Sequence, residues 1–92
     1  MKENFSIIIP IYNESNNIII LLEEIKLFLK NEINLFEIII INDCSEDNSE
    51  LLINEYIEKN SGLVDVKLLS NEINKGQSFS ICAGIKKALY NI

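Results

Sequence analysis

Carboxylate, amide and hydroxyl side chains gather in this 92-residue chain at two points, each directly after an apolar run. The first run, Phe5 to Ile11, includes Pro10 and ends in Tyr12-Asn13-Glu14. The second, Phe36 to Ile41, ends in Asn42-Asp43-Cys44-Ser45-Glu46-Asp47-Asn48-Ser49. A tyrosine at the carboxyl end of a strand can lie against a planar base. An Asn and a Glu just beyond it can hydrogen-bond a base edge or a ribose. The same residues also make an ordinary Pro-containing turn with an Asn/Ser helix cap, and residue type alone leaves both readings open. Asp43 carries more information. A carboxylate at the end of a buried strand is poorly solvated and needs a partner, and the imide N–H of uracil or a ribose hydroxyl would serve. Asp47 reads as a turn and helix-cap residue. A third segment, Asn74-Lys75-Gly76-Gln77-Ser78, could bring backbone close to a ligand. Gly76 permits positive φ, the following helix offers free N–H groups, and Lys75 could lie near a diphosphate. The alternative there is a plain helix start with a solvated lysine.

The elements that must position these residues alternate. Residues 5–11 read as a buried strand in which pairing stops or bulges at Pro10, which has no N–H. A helix is expected from about Asn16 to Lys30, with Asn13, Ser15 or Asn16 as its cap. Ile18, Leu22, Ile25 and Phe28 or Leu29 lie on its inner side. Residues 36–41 form a second strand. Ser45 is the expected cap of a helix over about 47–59, with Ile53, Ile57, Leu52 and Tyr56 inward. Asn60-Ser61-Gly62 stops that helix. Residues 64–69 read as a third strand nearer a sheet edge. A last helix is expected over 77–90, with Ile81, Ile85, Ala88 and Leu89 inward. The order is β-α-β-α-β-α. Right-handed crossovers make the sheet parallel, with helices on both faces and the first strand expected between the second and third. In such an α/β sheet, ligands bind beyond the carboxyl ends of the strands, where both polar clusters fall.

Composition narrows the function. A hydrophobic fraction of 48% suffices for one small domain's core. Net charge is −6 and the few lysines are scattered, which argues against nucleic-acid binding. The apolar run Ile18 to Leu22 is far shorter than the ~20 residues of a membrane span, and no signal-peptide pattern opens the chain. The reading is a cytoplasmic protein. Cys44 and Cys82 form no Cys-x-x-Cys pair, and there is no histidine, so reduced thiols are expected rather than a metal site. The absence of G-x-G-x-x-G and of a Walker loop argues against dinucleotide and P-loop assignments.

Three segments together carry a family resemblance. Ser6 to Glu14 resembles the opening strand and loop of family 2 glycosyltransferases, whose fold is the GT-A type. Ile41 to Ser49 resembles that family's Val-Asp-Asp-Gly-Ser-x-Asp-Gly-Thr segment, with Asn42 in place of the first Asp and Cys44 and Asn48 in place of glycines. Asn74 to Ile85 is similar to its Asn-x-Gly loop and following helix, and leans toward the polyprenyl-phosphate (dolichol- or undecaprenyl-phosphate) sugar transferases. The resemblance implies a Rossmann-like α/β sheet over 1–92, the nucleotide-binding half of a longer GT-A domain. It implies a nucleotide pocket lined by Pro10, Tyr12 and Glu14, with Asp43 on the base and Ile41 supplying backbone beside it; Asn13, Lys75 and Gly76 join the expected nucleotide-binding residues from the reading of residue types above. It implies a UDP- or GDP-linked sugar donor and a polyprenyl-phosphate acceptor. It also implies a divalent cation (Mg²⁺ or Mn²⁺) held by an Asp-x-Asp beyond Ile92, and association of the full-length enzyme with the cytoplasmic face of a membrane. On this reading residues 1–92 alone transfer no sugar. The alternatives are a non-catalytic α/β binding module and a truncated, inactive gene product. A receiver domain fits poorly, because the first strand ends in Tyr12-Asn13-Glu14 rather than an acidic pair and the third in Ser70-Asn71.

Overall fold

The computed structural model describes residues 5–30, 36–76, 81–82 and 84–86. Strand β1 (Phe5–Ile11), helix α1 (Ile18–Phe28), strand β2 (Phe36–Asn42), helix α2 (Ser49–Lys59) and strand β3 (Val66–Ser70) follow in order. All pairing is parallel. The strand order is β1-β2-β3, so the second strand, not the first, is central. Both crossovers step in the same direction, which puts α1 and α2 on one face. β2 carries the deepest burial, with every residue from Glu37 to Asn42 buried, whereas Ile7 to Pro10 of β1 stay half-buried. Apolar content alone could not rank the two strands, because an edge strand under a helix is nearly as apolar as a central one.

The period-2 alternation of the strands sorts their side chains onto two faces. Ile11, Ile38, Ile40 and Val66 meet Ile18 and Leu22 of α1 and Ile53 and Tyr56 of α2 in one buried cluster. Each fully buried isoleucine contributes about 2 kcal/mol of apolar transfer free energy. Leu29 closes the α1 side, while Phe28 is 86% exposed. Burial pushes the Tyr56 phenol pKa up, aided by the charge on Glu23. Its hydroxyl has no hydrogen-bond partner among the described residues.

The opposite face holds a polar row. Ser6 donates to Glu37 Oε2 at 2.7 Å, and Lys67 Nζ lies 2.8 Å from Glu37 Oε1, tying three strands through a fully buried carboxylate. Residues 81, 82 and 84–86 are helical. A Cβ on Gly84 would lie 2.7 Å from both Ile41 Cδ1 and Ile8 Cγ2, so this helix meets the sheet through its glycine. The expectation that Ile81 and Ile85 face inward fails, since they are 36% and 47% exposed. The 3.6 periodicity of a helix does not reveal its phase when the inward residue is a glycine. The expected ends of this helix, with Ala88 and Leu89, lie outside the described residues.

Candidate functional site at the carboxyl edge of the sheet

Pairing runs unbroken through Pro10↔Ile41 to Ile11↔Asn42, without the expected break or bulge at Pro10. An edge strand tolerates a missing N–H when the ladder does not call on it. Asp43 N donates to Ile11 O at 2.9 Å, which brings Asp43 beside the start of the Tyr12 loop.

Two loops are then stapled together by side chains. Asn13, at φ +53°, donates its N–H to Ser45 Oγ at 2.9 Å, and its Oδ1 accepts from Glu46 N at 2.7 Å. Glu14 N donates to Ser49 Oγ, and Ser15 N to Asp47 Oδ2, both at 3.1 Å. Asp47 Oδ1 also accepts from Ser49 N and Ser49 Oγ. These bonds replace the caps read from sequence. The N-cap positions are Asn17 and Asn48, and neither side chain makes a capping bond. Asn13, Ser15 and Ser45 instead work across the gap between loops. The Ser49 hydroxyl, ahead of its backbone N–H and that of Ser15, holds the Asp47 carboxyl down at about 2, against the opposing cost of burial. Asn42 is buried and its Oδ1 accepts from Ser45 N at 3.1 Å, a loop-closing bond that needs no charge. Cys44 takes φ +61°, the left-handed conformation that favours the family's glycine there. Its thiol donates to Glu72 O at 3.2 Å. Asn48 sits at φ −89°, which any residue adopts.

The third loop closes on Asp43. Oδ1 accepts from Asn71 Nδ2 at 2.9 Å and from Lys75 N at 2.7 Å, and Oδ2 accepts from Gly76 N at 2.8 Å. Gly76 reaches this position at φ +87°, a conformation glycine adopts without strain. The Lys75 N–H is the largest cause of a lowered Asp43 pKa, followed by the Asn71 amide, with burial opposing them. Asp43 is thus an ionised carboxylate, 5% exposed, at the junction of all three segments.

The structure therefore gathers the residues singled out from sequence at one sheet edge. Asp43, Lys75 and Gly76 are in direct contact. Asn13 and Glu14 are bonded to the Asp43-bearing loop a few residues on. Tyr12 is 44% exposed beside it, and Pro10 and Ile41 are paired beneath. Sequence reasoning missed Asn71 as a partner of Asp43, and Ser45 and Ser49 as staples. Their signal was polarity just past a strand end, shared by many surface loops. The expected helix start at Gln77 lies outside the described residues. No group of three or more His, Cys, Asp or Glu among the described residues could hold a metal ion, so no residue here is assigned to the implied cation. No helix among the described residues is long and apolar enough to cross a membrane. A groove of 1120 Å³ lies at the opposite end of the strands, lined by Leu27, Leu29, Phe36, Val64 and Val66 among others. It is remote from Asp43 and is not part of this site.

The model of the family described as "Glycosyl transferase family 2" matches residues 6–92. The chain belongs to glycosyl transferase family 2. Among curated members, it is 38% identical over 88 residues to a poly-β-1,6-N-acetyl-D-glucosamine synthase of Staphylococcus epidermidis, covering 96% of this chain and 20% of that protein. It is 34% identical over 82 residues to an undecaprenyl-phosphate 4-deoxy-4-formamido-L-arabinose transferase of Serratia proteamaculans, covering 89% of this chain and 24% of that protein. The chain thus spans about a quarter or less of these family members' lengths. A mannosyltransferase from Pyrobaculum calidifontis, solved with GDP-Man and Mn²⁺, superposes with a TM-score of 0.71 at 18% identity over 96% of this chain and 25% of its own. That likeness shows that this α/β unit has the fold of the Rossmann-like part of a GT-A glycosyltransferase.

Proposed function

We propose that the edge around Asp43 is the donor-nucleotide site of a glycosyltransferase that moves a sugar from a UDP- or GDP-linked donor to a polyprenyl phosphate. The observation that carries this reading is the gathering of three loops, each at the carboxyl end of a parallel strand, around Asp43, a buried carboxylate gripped by the third of them. Asp43 accepts from the base, Tyr12 lies against the ring, and Glu14, Lys75 and Gly76 border the ribose and diphosphate. The solved mannosyltransferase holds GDP-Man and Mn²⁺, which supports a nucleotide-sugar donor and a divalent cation for the whole enzyme. The named undecaprenyl-phosphate transferase supports the acceptor, and a lipid-linked acceptor of that kind would place the whole enzyme at a membrane surface, on the cytoplasmic face in this reading. A bound cation would offset the charge of the leaving diphosphate as the anomeric carbon is displaced. What this chain's residues supply is base recognition and the fixed geometry of the loops.

The test is calorimetry on the full-length protein. Asp43→Ala should weaken UDP or GDP binding by about tenfold or more, the usual loss for a hydrogen bond to a charged group. Unchanged affinity for both nucleotides would refute the role of Asp43. Transfer of label from a sugar nucleotide to undecaprenyl phosphate tests the acceptor, and transfer only to a polysaccharide or a protein would replace it.

A further inference from the structure

A carboxylate offers two acceptor directions on each oxygen, and three of the four at Asp43 are occupied by the protein itself. Oδ1 is filled by Asn71 Nδ2 and Lys75 N, while Oδ2 accepts only from Gly76 N among the described residues. One acceptor position on Oδ2 is left for a ligand. Uracil presents a single N–H on its pairing edge. Guanine presents two adjacent donors, an imino N–H and an amino group, which match a carboxylate only when both oxygens are open. Against this Asp43, guanine would bury one donor without a partner, and sites discriminate strongly on that ground.

We propose that Asn71, by occupying Asp43 Oδ1 together with the Lys75 N–H, makes this site selective for uracil over guanine. The proposal rests on the donor-nucleotide reading above and narrows it to uridine diphosphate sugars. Asn71 is a specificity-determining residue acting through Asp43. It is itself anchored at the end of β3, where its N–H donates to Asn42 O at 2.8 Å. Its amide therefore reaches Asp43 from a fixed strand end.

The experiment is calorimetric titration of the full-length protein with UDP, GDP and N3-methyl-UDP. UDP should bind at least about tenfold tighter than GDP, and N3-methylation, which removes the single donor, should cost about tenfold or more. Asn71→Ala opens Oδ1 and should narrow the UDP:GDP ratio severalfold, whereas a merely structural role would weaken both nucleotides alike and leave the ratio unchanged. Equal or tighter GDP binding by the unaltered protein, or full retention of N3-methyl-UDP, would overturn the uracil assignment while leaving a nucleotide site in place. An unchanged ratio in a folded Asn71→Ala protein would overturn the role of Asn71. If Asn71→Ala does not fold, the unaltered protein's preference and its response to N3-methylation still decide the uracil assignment. Binding of neither UDP nor GDP would overturn the donor-site reading itself.

Discussion

At the scale of single residues, the site is built from polar side chains that mostly satisfy backbone groups of a different loop. Asp47 illustrates the energetic consequence. It accepts from Ser15 N on one oxygen and from the Ser49 hydroxyl and N–H on the other, and its pKa falls from 3.8 to about 2. A carboxyl whose pKa is depressed on folding stabilises the fold fully above its unfolded pKa, and that contribution disappears as pH falls through the folded value. Asp43, lowered in the same direction, adds to the effect. Denaturant midpoints should therefore decline as pH drops from about 4 toward about 2. Asp47→Asn keeps an acceptor oxygen but cannot titrate, so its midpoint should be lower at neutral pH and its decline shallower. A variant with the same slope as the unaltered protein would show that the acid sensitivity lies elsewhere.

At the scale of elements, α1 and α2 hold one face of the sheet through interlocking aliphatic side chains, and the helix around residue 84 holds the other through the lack of one. At Gly84 the hypothetical methyl meets Ile8 Cγ2, a branch fixed close to its own backbone, as well as the more mobile Ile41 Cδ1. Gly84→Ala gains about 1 kcal/mol of helix propensity, against an overpacking cost of about 1–3 kcal/mol. The net should be a destabilisation of about 1 kcal/mol, larger for Gly84→Val, measured as a shift of the unfolding midpoint. A raised midpoint for Gly84→Ala would mean that the helix does not lie this close to β1 and β2. Because Ile41 directly precedes the Asn42-Asp43 turn, the same substitution should also weaken the nucleotide binding proposed for that edge.

At the scale of the whole molecule, β1 and β3 are both edges of the three-strand sheet among the described residues. Ile20, Leu27 and Phe28 of α1, Leu51 of α2, and Leu63 and Ile73 in loops are large apolar side chains that are also exposed. Open edges of β-branched strand and exposed apolar patches both favour self-association. Residues 1–92 expressed alone should show concentration-dependent light scattering. A monodisperse monomer at high concentration would contradict the open edges.

The sequence by itself determined the alternation of elements, the parallel sheet and the strand ends at which the polar loops gather. β-branched runs of 5–7 residues cannot sit still as helices, and helical stripes such as Ile18-Leu22-Ile25 cannot alternate across a sheet. It also marked Asp43, because a carboxylate at the end of the buried strand that holds Ile38 to Ile41 has to find a partner. Which partner was a tertiary matter. Asn71, Lys75 and Gly76 lie 28 or more residues away, and only the β2–β3 register brings them to it. The same holds for the Asn13–Ser45 staple, for Glu37 between Ser6 and Lys67, and for β2 rather than β1 at the centre of the sheet. Local pattern fixes the period of a segment and the face it buries. Strand order, helix phase and hydrogen-bond pairing depend on which segments are packed side by side, and no single segment encodes that.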